Sequence, residues 1–586
     1  MKSINLIKRG IAYGKSHGAG RMARKALEHG MRLEAESSYE SWLSAHLMSG
    51  KALEQQRRAG RGGELKFSVL VPVYRTPEPF LRAMLESVLN QTYDNLELCL
   101  ADGSGEDDSC RKIIETYVRK DPRIRYEKLA QNGGIAGNTN AALFMAEGDY
   151  ICLLDHDDLL AENALYELFR MLQLHPDMDV VYTDEDKVDF EGKRHFQPHF
   201  KPDFNLELLR SNNYICHLFC VKRTLALETG GFRKACDGAQ DYDFILRCTE
   251  GAGKIGHVPK ILYHWRCHTA STAENPESKT YAYEAGKKAV EDHLSRCGIA
   301  GKVECTANPG FYRVHYALTA HPHVTVLTEG NFSREEVQLR ARRLRISSAY
   351  SDLELWTGTA AALAGRLKEK WKDGPGDGCL LFLDCGCRAV HTGWLKTLLS
   401  YALLPDVGCV TGRIYDEKRL LLHAAEVLGM YGRTAATPFA GFPSGLSGYM
   451  HKIALAQDCS VTGAGCLLIS EKAFLRTGMD PERIEKSGWN TELGLRALDA
   501  GLRNIYTPYT VLEASGEHSE VPVLAEYGRA HGQERWARRL FEPDPYYNPC
   551  LSLERRGYRL KDNRKRNDKI CRGEENGRGF NRNSEL

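Results

Sequence analysis

Short apolar runs alternate with more polar stretches in the segment that begins at Phe67. Three apolar runs predict buried strands, and three intervening stretches predict helices. The predicted strands are 67–74, 96–101 and 150–154, and the predicted helices are 80–89, 113–119 and 138–146. This alternation predicts an α/β fold, a parallel sheet covered by helices on both faces. Ligands of such sheets bind beyond the carboxyl ends of the strands, where the polar loops after 101 and 154 stand.

The second half of the chain repeats spacings of the first half. The matching pairs are Asp155 and Pro176 with Asp384 and Pro405, 21 positions apart in each, and Arg247 and Pro259 with Arg496 and Pro508, 12 positions apart in each. Thr229-Gly230 also has a counterpart in Thr477-Gly478. Because 586 residues exceed what one hydrophobic core usually serves, we predict two related domains with a junction near 311–322.

Composition excludes some classes of function. The net charge is +2, with 79 Lys and Arg against 77 Asp and Glu, which argues against a nucleic-acid binder. The 18 cysteines form no CxxC pair, and residues 1–15 lack the apolar core of a signal peptide. We therefore expect free thiols in a reducing cytoplasm. Zinc sites at Cys216–Cys220 or Cys385–Cys387 are disfavoured, because partner pairs at zinc-site spacing are missing.

The two ends of the chain differ from the middle. Residues 1–62 are rich in Lys, Arg, Gly and Ala and predict a helical lead-in, either packed on the protein or lying on an anionic membrane surface. Residues 557–586 predict a polar disordered tail. No run of 18 apolar residues exists, so we expect no membrane span.

The main chemical cluster is Asp155-His156-Asp157-Asp158. Three carboxylates directly after a buried strand cost free energy unless a cation or hydrogen-bond donors compensate. Hard oxygen ligands suit Mg²⁺ or Mn²⁺ shared with phosphates. Alternatively, Asp157 or Asp158 caps a helix over 159–172. The cluster alone leaves both interpretations open.

Four further motifs each allow a structural and a chemical interpretation. They are Asp102-Gly103-Ser104, Asn132-Gly133-Gly134, Gln240-Asp241 and Tyr263-His264-Trp265-Arg266-Cys267-His268. The Asp102 motif is an ordinary turn and the Asn132 motif an ordinary helix start, or both are loops that contact a nucleotide. Asp241 is a helix cap or a general base. The last motif is an amphipathic strand end, or an Arg and His cluster that binds a diphosphate or metal.

Taken in order, these motifs resemble the family 2 glycosyltransferases of the GT-A fold, and more narrowly the large bacterial enzymes that build O-antigen and related surface polysaccharides. The resemblance covers roughly residues 65–275 and includes Val71-Pro72-Val73-Tyr74, Asn90-Gln91-Thr92-Tyr93, Asp102-Gly103-Ser104, Asn132-Gly133-Gly134, Asp155-His156-Asp157-Asp158, Tyr182-Thr183-Asp184-Glu185-Asp186-Lys187, Gln240-Asp241 and Tyr263-His264-Trp265-Arg266. The family usually has Glu-Asp where this chain has Gln240-Asp241, so the expected base is retained.

The resemblance implies an inverting, metal-dependent transfer from a UDP- or dTDP-sugar to a glycan acceptor, possibly lipid-linked at the inner face of a bacterial membrane. It implies Asp241 as the base, and Asp157 and His268 as ligands of Mn²⁺ or Mg²⁺. The implied nucleotide-sugar site consists of Pro72, Val73, Tyr74, Asp102, Asn132, Gly134, Asp155 and Arg266. The expected location is cytoplasmic, with peripheral membrane contact and no nucleic-acid partner.

The repeat predicts that the second domain has lost this chemistry. Equal spacing sets Gly386 opposite Asp157, Cys387 opposite Asp158 and Asn490 opposite Asp241. The front half is also short, with 60 positions from Val324 to Asp384 against 86 from Val69 to Asp155. We therefore predict a catalytic domain over 63–310 and a degenerate, GT-A-like second domain over 323–556, which binds acceptor, docks a partner or stabilises the first. Glu492 is a weaker alternative base.

Three alternative functions remain. A bifunctional transferase with two active sites would need the second domain to keep its chemistry. A nucleotidyltransferase shares the nucleotide-binding sheet, but it would want a Gly-rich, basic loop after the first strand, and Pro72–Pro77 is not Gly-rich. A glycan-binding scaffold fits the second domain but does not explain the carboxylates of the first.

Overall fold

The structure is a computed structural model that describes residues 27, 30, 38–267, 280–372, 374, 376–515 and 523–561. Most of the predicted lead-in, nearly all of the predicted tail and the predicted metal ligand His268 lie outside these residues. Within them, no helix combines the length and the apolar character needed to cross a bilayer.

The first domain is a helix-covered sheet. Its strands are β1 Phe67–Val73, β2 Leu96–Asp102, β3 Ile124–Lys128, β4 Tyr150–Leu153, β5 Leu159–Leu160, β6 Val180–Val188, β7 His195–His199, β8 Phe219–Lys222 and β9 Ile255–Arg266. A helical segment at 38–46 comes first. The helices are α1 Gly50–Gly60, α2 Glu78–Leu89, α3 Ser109–Val118, α4 Gly134–Met145, α5 Ala164–Leu174, α6 Leu206–Ser211, α7 Arg223–Glu228, α8 Gln240–Gly251 and α9 Thr280–Arg296, with a 3-10 turn at Lys234–Cys236.

The sheet order is β3-β2-β1-β4-β8-β6-β9-β5, with β7 paired to β6. β1 runs parallel to β2 and β4, and all seven of its residues are buried, as expected for a central strand. β8 enters antiparallel between β4 and β6. The predicted α/β fold is confirmed. The edge strand β3 escaped prediction because its sequence, IRYEK, is largely polar.

A short hairpin separates the two sheets. Its strands, β10 Gly301–Cys305 and β11 Tyr312–Tyr316, pair antiparallel. The predicted end of the catalytic domain at 310 falls in the turn between them, and β12 begins at Val324. The domain boundaries drawn from the sequence remain predictions.

The second domain has its own nine-stranded sheet. Its strands are β12 Val324–Glu329, β13 Leu353–Gly358, β14 Cys379–Leu383, β15 Cys387–Ala389, β16 Val407–Tyr415, β17 Leu421–His423, β20 Gln457–Cys459, β21 Cys466–Ser470 and β22 Arg503–Ala514; β18 Val427–Leu428 and β19 Ala435–Ala436 pair separately. The helices are α10 Arg334–Ser348, α11 Ala360–Lys370, α12 Trp394–Ala402, α13 Glu471–Arg476, α14 Trp489–Asp499 and α15 Leu524–His531, with 3-10 turns at Met430–Gly432, Tyr449–His451, Pro481–Glu485 and Trp536–Phe541.

The two sheets share one plan. The second has the order β13-β12-β14-β21-β16-β22-β15, which matches β2-β1-β4-β8-β6-β9-β5 strand by strand. The directions match too, because β12 is parallel to β13 and β14, and β21 is antiparallel to β14 and β16. The repeat predicted from equal spacings is therefore present in the topology. Within this sheet nothing corresponds to β3, which accounts for the shorter front half.

The domains are joined by a buried polar interface. Asn205 and Asp458 exchange two hydrogen bonds, each of 2.9 Å, between the Asn205 side-chain amide and the Asp458 backbone. The Glu207 backbone N–H of the first domain donates to Asp458 Oδ2 at 3.3 Å. The Arg503 guanidinium, which pairs with Asp458 at 2.7 Å inside the second domain, lies 3.9 Å from the Glu207 carboxylate. One continuous hydrophobic cluster also contains residues of both domains. The two sheets are therefore packed against each other through shared core and paired charges.

We expect Arg503→Met to lower the free energy of unfolding by about 3 kcal/mol, because it leaves the fully buried Asp458 carboxylate without its cation. Chemical denaturation of the full chain measures this. The control is Lys472→Met, which removes an exposed ion pair with Asp377 and should cost less than about 1 kcal/mol. Equal losses in the two variants would contradict a stabilising role of the interface charge.

Candidate active site

The acidic cluster lies in the loop after β4. Asp158 is only 1% exposed, and its two oxygens accept hydrogen bonds from the Tyr263 hydroxyl at 2.5 Å and the Arg266 backbone N–H at 2.7 Å. Burial, then the nearby Asp157 and Asp155, raise the pKa of Asp158 well above its ordinary value. The protein therefore pays for this buried carboxyl with two donors from β9.

The helix-cap interpretation of this cluster is wrong. Leu159 and Leu160 form β5, which pairs with β9, and α5 begins only at Ala164. Asn163, rather than Asp157 or Asp158, precedes that helix. Leu159 and Leu160 form a strand instead of a helix because β5 pairs with β9, which lies about a hundred positions later in the chain.

His217 joins the carboxylates from the loop before β8. One ligand atom from each of Asp155, Asp158 and His217 lies within 4.8 Å of the others. The imidazole is 8% exposed and stacks on Tyr263 with ring centroids 4.5 Å apart. Its Nδ1 has no hydrogen-bond partner in the described chain. Two carboxylates and this imidazole form a donor set that could hold a divalent cation.

Sequence reasoning missed His217 as a partner of the aspartates. It considered this residue only together with Cys216 and Cys220, as a disfavoured cysteine site. The structure brings it to Asp155 because β8 runs antiparallel beside β4, about 60 residues earlier in the chain. No local signal in the sequence marks that pairing.

Arg266 is held at the end of β9. Its Nε donates to the Asp157 carbonyl at 2.7 Å, and Nη1 donates to the Phe190 carbonyl at 2.9 Å. The guanidinium lies 4.8 Å from the Phe80 ring centroid. Burial lowers the pKa of Arg266, against the opposing effect of Asp158. The side chain thus fixes the carboxylate loop, and its predicted contact with a diphosphate stays a prediction.

Asp241 stands in the first turn of α8, where sequence analysis set a general base. Its Oδ2 accepts a hydrogen bond of 2.9 Å from the Asn213 side chain. Burial raises the pKa of Asp241; His217 opposes this rise and Asp155 adds to it. The Asn213 side chain also accepts from the Cys216 backbone N–H at 3.2 Å, so it ties the expected base to the loop that carries His217.

The neighbouring Asp243 has a different role. It is fully buried, and its carboxylate pairs with Arg233 and with Arg247, the latter at 2.8 Å. These two guanidiniums lower the pKa of Asp243 although burial opposes them. Asp243 therefore forms structural ion pairs. Of the two acids at the start of α8, Asp241 is the one available to the site.

Asp102 ends β2 and is fully buried. Oδ1 accepts from the Ser104 backbone N–H at 2.9 Å, while Oδ2 accepts from Tyr126 at 3.0 Å and Lys128 at 3.3 Å. The carboxylate thus closes its own turn and orients two side chains of β3. Its predicted contact with a nucleotide is untested.

The loop after β1 is tied to its neighbours. Pro72 and Val73 are buried in β1, whereas Tyr74 is 41% exposed at the sheet edge. The next backbone N–H, of Arg75, donates to Ser104 Oγ at 2.9 Å. These contacts bring the loops after β1 and β2 together. The roles predicted for Pro72, Val73 and Tyr74 stay predictions.

The Asn132 loop has the geometry of a helix start. Asn132 Oδ1 accepts from the Gly134 N–H at 3.0 Å and from Asn138 at 3.1 Å. Gly134 has a φ of 75°, and a Cβ there would lie 2.9 Å from Asp237 Oδ2, so a side chain is excluded on two counts. The nucleotide-binding role of Asn132 and Gly134 stays a prediction.

The motif at 182–187 is structural within the described chain. The Asp186 carboxylate accepts from the Tyr39 hydroxyl at 2.6 Å and lies within 2.8 Å of His195 Nδ1 and 2.6 Å of His264 Nδ1. Burial opposes ionisation, yet the two imidazoles lower the pKa of Asp186 to about 2. This carboxylate anchors the segment 38–46 to the sheet.

The second domain lacks the matching groups. In the second sheet Ala389 pairs with Leu512, as Leu160 pairs with Tyr263 in the first. Leu512 therefore stands at the position of Tyr263, the hydrogen-bond donor to Asp158. Three positions further along the chain, Ser515 stands at the position of Arg266. The alternative base Glu492 is buried between Arg483 at 2.7 Å and Arg496 at 2.8 Å. Both guanidiniums pair with its carboxylate, so Glu492 is part of an ion-pair network.

Residues 68–228 match the family described as Glycosyl transferase family 2. The chain is 32% identical over 556 residues to the uncharacterized protein y4gI of Sinorhizobium fredii, covering 88% of this chain and 61% of that protein. It is 30% identical over 555 residues to the O-antigen biosynthesis protein RfbC of Myxococcus xanthus, covering 88% and 43%. It therefore spans about half the length of these curated relatives.

Two shorter similarities cover part of the chain. Chondroitin synthase of Escherichia coli is 32% identical over 233 residues, which is 40% of this chain and 33% of that protein. Among solved structures, S. aureus TarS 1–349 in complex with UDP-GlcNAc is 22% identical with a TM-score of 0.33, covering 39% of this chain and 66% of that one.

We expect Tyr263→Phe to lower the free energy of unfolding by about 1–3 kcal/mol, because Asp158 loses a buried donor. This hydroxyl lowers the pKa of Asp158, so its removal raises that pKa further. The ionised form suffers most, and the loss should therefore grow as the pH rises. Denaturant titrations in acidic and in alkaline buffer measure it. Tyr166→Phe, whose hydroxyl has no partner in the described chain, should change little; an equal effect there would contradict the assignment.

Proposed function

We infer, from the premise that residues 68–228 form a family 2 glycosyltransferase domain, that this chain transfers a sugar from a nucleotide-diphosphate donor to a glycan acceptor with inversion at the anomeric carbon. The observation that carries the proposal is the convergence of Asp155, Asp158 and His217 at the carboxyl edge of one sheet, with Asp241 tied through Asn213 to the loop that carries His217. Two carboxylates with an imidazole beside a separate, partly desolvated carboxyl suit transfer that needs both charge stabilisation and a base.

The donor set fits a divalent cation. The close spacing of Asp155, Asp158 and His217, and the unpartnered Nδ1 of His217, support Mn²⁺ or Mg²⁺ at this point. A bound cation would stabilise the negative charge that develops on the departing nucleoside diphosphate. Because one donor is an imidazole nitrogen, this set favours Mn²⁺ over Mg²⁺. This donor set differs from the ligand pair predicted from the sequence, Asp157 and His268. We propose that His217 is a further ligand of the same cation.

Asp241 would take the proton of the acceptor hydroxyl. The Asn213 amide donates to one of its oxygens at 2.9 Å and so fixes the orientation of the carboxylate. Burial raises its pKa, which makes the carboxylate a stronger base than a free aspartate. The nearby His217 opposes that rise.

The proposed acceptor is a glycan of a bacterial surface polysaccharide. The similarity to a protein of O-antigen biosynthesis over 88% of this chain supports that class. We propose that the glycan is lipid-linked and that the enzyme meets it at the cytoplasmic face of the membrane as a peripheral protein. The donor would be a UDP- or dTDP-linked sugar.

We expect Asp241→Asn to reduce the rate of transfer by about 100- to 10,000-fold, because the amide cannot accept the proton. The wild-type rate should fall as the pH drops through the raised pKa of Asp241, since the protonated acid is inactive. Initial rates across pH measure both effects. The exposed Asp94→Asn should keep the wild-type rate and profile. An acid limb that survives in Asp241→Asn would assign the base elsewhere.

We expect Mn²⁺-dependent hydrolysis of a sugar nucleotide to be lost in Asp157→Ala and in His217→Ala and retained in Asp384→Ala. The first two changes remove proposed cation ligands, whereas Asp384 lies in the other domain. Nucleotide release by purified protein, with and without Mn²⁺, measures this. Retention in His217→Ala would restrict the site to the aspartates. Loss in Asp384→Ala would instead favour two active sites.

A further inference from the structure

The second domain contains a cleft of about 480 Å³ at the sheet edge that corresponds to the candidate active site. Glu329 ends β12, Asp384 follows β14 and Asn490 stands in the first turn of α14, and all three line it. Asp384 and Asn490 occupy the positions of Asp155 and Asp241. The volume lies within the range of small-molecule sites, which is roughly 300–1,000 Å³.

The cleft lacks the groups that would perform transfer. Gly386 and Cys387 replace two aspartates, and Gly465 stands at the register position of His217 on the strand beside β14. Among the described residues, the side-chain clusters suited to a metal all lie in the first domain. The cleft nevertheless remains open.

Its charge argues against a nucleotide donor. Four carboxylates line the cleft, those of Glu329, Asp384, Glu426 and Glu485, against the single lysine Lys486, and Glu426 is only 3% exposed. His423 Nδ1 lies 2.7 Å from Glu426 Oε1 and offsets one of these charges. The remaining acids would repel a diphosphate, and the missing counterpart of β3 removes the strand that carries Lys128 in the first domain.

The same groups suit sugar hydroxyls. Asp384 receives one backbone N–H, from Gly386 at 2.8 Å, and the Asn490 amide donates to the Thr462 carbonyl at 2.9 Å. Within the described chain, the second Asp384 oxygen and the Asn490 oxygen have no further partner. A ligand with several hydroxyl donors would satisfy these acceptors together.

An aromatic wall completes the cleft. Trp489 takes the place of Gln240 and lies against Phe382, with ring centroids 4.6 Å apart. Both rings line the cavity. A broad apolar ring face opposite hydrogen-bond acceptors matches a sugar ring, which has one face of C–H groups and an edge of hydroxyls.

We propose that this cleft binds, without transforming it, a neutral or amino-bearing saccharide unit of the glycan. The proposal rests on the glycosyltransferase function of the first domain, whose acceptor this glycan would be. Because the two domains share a buried interface, a glycan held in the second would stay at high local concentration near Asp241. The second domain would then act as an acceptor-holding module.

The test is binding of the full chain to an array of neutral, amino-bearing and carboxylate- or phosphate-bearing oligosaccharides. The expected result is binding to neutral or amino-bearing members, weakened about tenfold by Trp489→Ala. Asp384→Asn is the second variant, because it keeps the shape of the side chain and should also weaken binding if Trp489→Ala fails to fold. The exposed Glu417→Gln, in the same domain, should bind as wild type, and thermal unfolding verifies the fold of each variant.

Three outcomes would overturn the proposal. They are binding to acidic glycans alone, absence of glycan binding, and binding that survives both Trp489→Ala and Asp384→Asn in folded protein. Donor hydrolysis measured on the same wild-type sample separates the two proposals. Hydrolysis without glycan binding refutes the proposal that the cleft binds a glycan and leaves the proposed function of the first domain standing. Glycan binding that depends on Trp489, without hydrolysis of any donor and without transfer from any donor to the bound glycan, supports the cleft and refutes the transferase.

Discussion

The buried carboxyl of Asp158 is the constraint on which the candidate site depends. An acid at this depth is tolerated because Tyr263 and the backbone of Arg266 supply donors from β9, while β5 holds the loop beside that strand. The same contacts fix the direction of the acidic loop, and with it the position of Asp155 beside His217. The geometry of the proposed cation site therefore follows from how the fold satisfies one buried acid.

The second domain illustrates this dependence. It keeps the strand order and directions of the first, so its scaffold does not require the acid. Leu512 occupies the position of Tyr263, and Cys387 occupies the position of Asp158, the acid that Tyr263 bonds. Neither a buried donor nor a buried carboxyl is therefore left unpaired. The loss of one group removes the stabilisation of the other, which explains why the two changes occur together. The cleft survives because the backbone of the sheet, rather than these side chains, shapes it.

The interface between the domains makes the two sites parts of one body. Polar contacts such as those of Asn205 with Asp458 and of Glu207 with Arg503 are buried, and the apolar cluster around them runs through both sheets. Buried, directional contacts fix one relative arrangement, since any other would leave charges unpaired. A rigid arrangement is what a holding site and a transferring site would need to act on one chain of sugars.

The sequence by itself determined the strands β1, β2 and β4, the α/β class and the repeat, and it predicted Asp155, Asp157 and Asp241 as the chemical residues of their motifs. These follow from local patterns, because apolar runs, turn residues and clustered carboxylates lie close together along the chain. Only the tertiary structure decided that Leu159 and Leu160 form a strand, that His217 meets the aspartates, and that the second domain keeps an open, acidic cleft. Each of these depends on pairing between strands or loops far apart in sequence, and the side chains involved carry no local pattern that specifies their partners.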